Sequence, residues 1–148
     1  MISIVQRVNE ASVSIEGILH SKIDKGLLIL IGVCKGDENE QSCWMAKKII
    51  DLRIFTDENN KMNLSVKDFD GEILVISQFT LCSDKAKSGN RPSFGSAEDP
   101  EKANFLYELV IKEMKDYYKS DKIMTGIFSA KMEVKLINDG PVTIILEK

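Results

Sequence analysis

The chain is poor in the side chains from which most catalytic sites are assembled. Its 148 residues include one histidine, His20, and three cysteines, Cys34, Cys43 and Cys82. An odd cysteine count without a C-x-x-C pair argues against a zinc site or a disulfide framework, and the cysteines are expected to be reduced thiols of a cytoplasmic protein. His20 sits in the polar stretch Leu19-His20-Ser21-Lys22 and is expected at the surface or in a turn. A Ser-His or Cys-His couple built on it would need partners that the sequence does not supply. Long apolar runs are also missing. The longest, Leu27 to Val33, is about a third of the roughly 20 residues a membrane helix requires, and no signal peptide is legible. Positive charge is not in excess either. A net charge of −3 excludes a protein that coats nucleic acid through a broad basic face, while leaving a local contact open.

What remains is the composition of an ordinary globule, 43% hydrophobic and 29% charged, sized for one domain over residues 1–148. Met1 to Val8 and Ala11 to Glu16 alternate with period two and read as two paired strands. Leu27 to Val33 is apolar on both faces, as expected of a central strand covered by helix on one side and sheet on the other. Asp37, with Glu40 three residues on, resembles a helix cap and opens a helix over roughly 38–52 whose stripe includes Cys43, Ala46, Ile49 and Ile50. A short strand is predicted at Arg53-Ile54-Phe55, and a second buried strand at Glu72 to Leu81. Asp99 and Pro100 start a second helix with Ala103, Leu106, Val110 and Tyr117 inward. Met132 to Leu136 and Val142 to Leu146 are strands separated by a turn at Asn138-Asp139-Gly140-Pro141. The expected fold class is α/β: a mixed, largely antiparallel, layered sheet (β/β/α) with two main helices over one side.

Familiar catalytic signatures are absent: no G-x-S-x-G, no Walker loop, no H-E-x-x-H, no dinucleotide fingerprint. Two segments still ask for an explanation. At Ser77-Gln78-Phe79-Thr80 a strand that has run Ile-Leu-Val-Ile abruptly carries hydrogen-bonding side chains, either because it ends at a ligand site or because it emerges into solvent. Asn138 to Pro141 reads by itself as a turn. Arg7 is a charge on a half-buried strand and fits an outer face equally well.

Taken together, SQFTL at Ser77 to Leu81, RPSF at Arg91 to Phe94, TGIFSAKM at Thr125 to Met132 and NDGPVT at Asn138 to Thr143 resemble the signature of the bacterial-type D-aminoacyl-tRNA deacylases. Gln6-Arg7-Val8, Ala11-Ser12-Val13 and Lys61 to Leu64 extend the likeness over nearly the whole chain.

The resemblance implies a homodimeric hydrolase that cleaves the ester between a D-amino acid, or misattached glycine, and the terminal adenosine of tRNA, without metal or cofactor and without a membrane. It implies a cis Gly140-Pro141 peptide that reaches into the partner subunit's site and excludes L side chains. Arg7 would brace that loop through backbone carbonyls and, with Asn138, count among the substrate-binding residues. Ser77, Gln78, Phe79 and Thr80 would form a binding and oxyanion-stabilising shell, and Phe128 and Met132 would line the adenine pocket. Glycine, having no side chain to exclude, would be admitted. Thr80 has no base beside it in sequence, so assistance by the 2′-hydroxyl of the terminal ribose is expected instead of a threonine nucleophile. Lys85, Lys87 and Arg91 would meet phosphates or simply solvate a loop. A non-catalytic module binding the aminoacylated tRNA end or free D-amino acids, and an ordinary Thr or Ser esterase, are the competing readings.

Overall fold

The computed structural model describes residues 1–84 and 90–148. Strand β3 (Gly26–Gly32) lies at the centre, antiparallel to β1 (Ile2–Ile15) on one side and parallel to β6 (Glu72–Ser77) on the other. The order β2-β1-β3-β6-β7 is completed by β2 (Ile18–Ile23) and β7 (Ile123–Thr125), while β8 (Met132–Glu147) pairs with β1. A two-stranded ribbon, β4 (Phe55–Thr56) with β5 (Met62–Leu64), and the short helix α2 (Val66–Phe69) lie between α1 (Asn39–Asp51) and β6. Helix α3 (Pro100–Tyr117) precedes β7.

Alternation along β3 sorts its side chains into two cores. Leu27, Ile29 and Ile31 join Met45, Ala46 and Ile49 of α1 and Leu106, Val110 and Met114 of α3. Leu28 instead joins Leu74 and Ile76 of β6 and Val8, Ala11 and Val13 of β1, with Met132, Val134 and Leu136 of β8 packed against them. Helices therefore cover one face and the folded-over halves of β1 and β8 the other, giving the layered β/β/α arrangement expected from a run that is apolar on both faces.

Several local expectations are corrected. The N-terminal region is one strand, not two: Asn9 and Glu10 are exposed at an irregularity of the β1–β8 ladder, and the chain continues without a turn. Helix α1 is capped by Glu38 with Gln41 and not by Asp37, because the Asp37 carboxylate is taken by the Met1 ammonium at 2.5 Å and by the Cys34 N–H at 2.7 Å. The short strand begins at Phe55 and not at Arg53. Strand β6 stops at Ser77, and Phe79–Cys82 forms a 3₁₀ turn. Tyr117 is 40% exposed, and Tyr107, Ile111 and Met114 fill the α3 stripe. His20 is exposed, as expected, but on β2.

Cys34 and Cys82 form a disulfide, with Cα atoms 5.5 Å apart across a separation of 48 residues. The expectation of reduced thiols fails for this pair; Cys43 is the free cysteine. Parallel pairing of β3 and β6 is the reason, since it carries the chain leaving each strand to the same end of the sheet. The 3₁₀ turn that follows β6 is thereby tied to the segment that follows β3.

Candidate active site

The two parallel strands end side by side. There the Gln78 N–H donates to the Ile31 carbonyl at 2.7 Å, and the chain turns: the Leu81 N–H donates to the Gln78 carbonyl at 3.2 Å. Among the described residues, the N–H groups of Phe79 and Thr80 at the start of this turn find no acceptor. Such N–H pairs are ready donors to an oxyanion. The Gln78 side-chain amide donates to Thr80 Oγ1 at 2.6 Å, so the hydroxyl is held as an acceptor by a group that cannot take its proton.

Beside the turn opens a cavity of about 490 Å³, lined by Ser77, Gln78 and Phe79 from the strand end and by Phe128 and Met132 from the segment leading into β8. Phe79 is 60% exposed and meets Phe94 edge to face at 5.2 Å. The lining residues that sequence reasoning did not name for the site include Glu98 and Tyr107. The Tyr107 hydroxyl donates to the Val75 carbonyl at 2.9 Å, and burial pushes its pKa well up, so it stays a neutral donor. Glu98 accepts from the Asp99 N–H, which chiefly holds its carboxyl below the usual range, and it also pairs with Lys102 at 3.3 Å. It is a weak base. The signal for Tyr107 was its helical spacing four residues beyond Ala103; Glu98 left none.

A second group of residues surrounds an irregularity in β8. Val8 pairs with Asn138 and Gln6 with Thr143, so the four residues Asp139 to Val142 stand opposite Arg7 alone. The expected break in the sheet is therefore a bulge within one continuous strand. The Gly140–Pro141 peptide at its crest is cis. Gln6 Nε2 lies 3.4 Å from Asn138 Oδ1 and 3.5 Å from Thr143 Oγ1, spanning the mouth of the bulge. Arg7 is only 8% exposed, which settles its placement between the buried and outer-face readings. Its Nη1 donates to the Ile54 carbonyl at 2.5 Å, and its Nε lies 3.0 Å from Asp139 Oδ2. The expected bracing through carbonyls of the Gly-Pro loop is corrected here: the loop is reached through the Asp139 carboxylate.

Sequence reasoning thus named two clusters. Ser77, Gln78, Phe79, Phe128 and Met132 line one cavity, with Thr80 attached through Gln78. Arg7, Asn138, Gly140 and Pro141 gather at the bulge, and no residue from 138–142 lines that cavity. Arg91 is exposed, while Lys85 and Lys87 lie outside the described residues. Among the described residues no group of three or more His, Cys, Asp or Glu could hold a metal ion, and no helix is long and apolar enough to cross a membrane.

The family described as D-Tyr-tRNA(Tyr) deacylase matches residues 4–147. The chain belongs to that family. It is 53% identical over 147 residues to a D-aminoacyl-tRNA deacylase of Dictyoglomus turgidum, covering 99% of this chain and 92% of the relative. A D-aminoacyl-tRNA deacylase of Caldicellulosiruptor saccharolyticus is 50% identical over 147 residues, covering 99% of this chain and 97% of that one. Among solved structures, one described as c-Myc DNA Unwinding Element Binding Protein superimposes with a TM-score of 0.95 at 40% identity, covering 100% of this chain and 99% of that one. Another, described as a probable eukaryotic D-amino acid tRNA deacylase, shares the fold with a TM-score of 0.80 at 12% identity, over 98% of this chain and 97% of that one.

Proposed function

We propose that this chain is an aminoacyl-tRNA editing hydrolase of the cytoplasm, which cleaves the ester of D-aminoacyl-tRNA and of mischarged glycyl-tRNA and rejects L-aminoacyl esters. The observation that carries the reading is the turn after β6: N–H groups of Phe79 and Thr80 with no acceptor among the described residues, beside a cavity able to hold a nucleoside and with no competent base among the described residues that line it. In this reading Phe128 and Met132 pack on the terminal adenine, and the ester carbonyl lies against the two N–H donors. Thr80 is held by Gln78 and Glu98 by Asp99 and Lys102, so neither is equipped to deprotonate water. The vicinal 2′-hydroxyl of the terminal ribose supplies that assistance.

Chirality in this reading is read by Gly140 and Pro141 of a second copy. Two features of the single chain support a homodimer. The bulge carrying these residues lies outside the cavity beside the turn, and among the described residues β8 pairs with β1 alone while exposing Ile137 and Ile145. Carbonyls of the loop then face the substrate's α-amino group and leave no space for an L side chain, so glycyl esters pass.

The test is hydrolysis of matched D-tyrosyl-, L-tyrosyl- and glycyl-tRNA by EDTA-treated protein. Cleavage of the D and glycyl esters with survival of the L ester is expected; cleavage of none would leave a module that only binds the aminoacylated end. Thr80→Ala is expected to lower kcat by less than about tenfold, against the roughly 10²–10⁴-fold that removing a positioned acid–base group costs. A tRNA lacking its terminal 2′-hydroxyl is expected to lose far more. The reverse pattern would establish a threonine esterase.

A further inference from the structure

We propose that Asp139 is a positioning residue for stereochemical selection, acting through Arg7 on the Gly140-Pro141 loop; this rests on the proposed role of that loop in excluding L esters. The bulge gives the loop four residues of slack opposite a single residue of β1. Slack of that kind defines no geometry by itself, because the ladder hydrogen bonds that would fix those residues are interrupted.

The Arg7 guanidinium takes the place of the missing ladder. It is buried and anchored to the Ile54 carbonyl through Nη1. Its Nη2 lies 3.3 Å from where a Cβ on Gly140 would stand, so the guanidinium backs directly onto the crest of the loop. Apart from the ion pair to Asp139, the buried Nε has no hydrogen-bond partner among the described residues. Removing that carboxylate leaves a buried cationic N–H uncompensated on the side facing the loop. Asp139 neighbours Gly140 in the chain, so its hold on the guanidinium fixes the crest at one end, while the bridge from Gln6 to Asn138 and Thr143 closes the mouth. Asp139 itself is half-exposed, so its carboxylate is not needed to fill the core. Displacements on the order of 1 Å are enough to lose a stereochemical filter of this kind.

Asp139→Asn keeps the shape and removes the charge. Single-turnover rates on D-, L- and glycyl-tRNA should show the ratio of D to L hydrolysis falling at least tenfold, with Asp139→Glu recovering part of it. Arg7→Lys combined with Asp139→Asn should be no worse than the more damaging single change, because the two act as one unit. A protein that is merely destabilised loses both rates together and leaves the ratio where it was. That result, or a ratio within twofold of wild type, overturns the proposal. Asp139→Ser gives the same readout should the asparagine variant fail to fold. If the unmodified protein already cleaves D and L esters alike, the exclusion reading itself fails; if it discriminates and Asp139→Asn does so equally, only the role of Asp139 is lost.

Discussion

Gly140→Ala should reduce kcat/KM for D-aminoacyl-tRNA by at least about 10²-fold, the loss associated with misplacing a reacting group by about 1 Å. Gly140 has φ of +121°, a conformation that L side chains rarely adopt, and an added Cβ would lie 2.9 Å from Val142 Cγ2 and 3.0 Å from the Val142 backbone nitrogen. The Val142 methyl can rotate aside. Its nitrogen cannot, so the crest of the bulge must move. Backbone strain of this sort costs on the order of 1–3 kcal/mol, too little to unfold the chain, and the effect belongs to activity more than to stability. Single-turnover deacylation beside a thermal melt separates the two. Mixing Gly140→Ala chains with Gln78→Ala chains should restore activity if each site borrows its loop from the other copy. Activity within threefold of wild type for Gly140→Ala alone would remove the loop from the mechanism.

Gly26→Ala is expected to destabilise the protein by more than about 4 kcal/mol, beyond the range of most single substitutions. Gly26 pairs with Glu72 where β3 and β6 begin to run in parallel, and a Cβ there would stand 1.8 Å from the Glu72 carbonyl oxygen and 2.7 Å from its carbonyl carbon. Both obstacles are backbone, so no rotamer relieves them, and the strands must separate where both cores meet the sheet. Urea denaturation reads the effect directly. A midpoint corresponding to less than about 1 kcal/mol of change would mean that β3 and β6 can spread locally without disturbing either core.

Much of the architecture was legible because the deciding interactions are local or periodic. Leu27 to Val33 announces a strand buried on both faces, and Asp99-Pro100 followed by Ala103, Leu106 and Val110 announces α3. Several of the misreadings share one cause, a partner distant in sequence. Asp37 has the chemistry of a cap, but the Met1 ammonium reaches it first. Asn9-Glu10 and Asn138 to Pro141 have turn composition, yet pairing between β1 and β8 holds each inside a strand as a bulge. Cys34 and Cys82 meet only because β3 and β6 are parallel neighbours. At the site, the polar break after Ile76 drew notice to the motif, but the strand was read on to Leu81 where the chain in fact turns after Ser77; the Gln78–Thr80 bond lies within that motif. Asp139 was hidden among turn residues. The clue available was Arg7 itself, a buried cation that requires an anion, with one acidic residue in the NDGP motif to provide it.

Strand β1 belongs to both cores, Val5 to the helix-covered one and Val8, Ala11 and Val13 to the other. It is also hydrogen-bonded along both flanks, to β3 and then β2 on one side and to the two halves of β8 on the other. A strand shared in this way leaves no half of the molecule able to open alone, so its amide protons are expected to exchange with solvent only when the whole domain unfolds, which hydrogen-exchange measurements would read directly. The Gly-Pro loop rises from the middle of that strand's ladder. It is the widest of the interruptions in the β1–β8 ladder, a loosely paired crest set on the strand that both cores share.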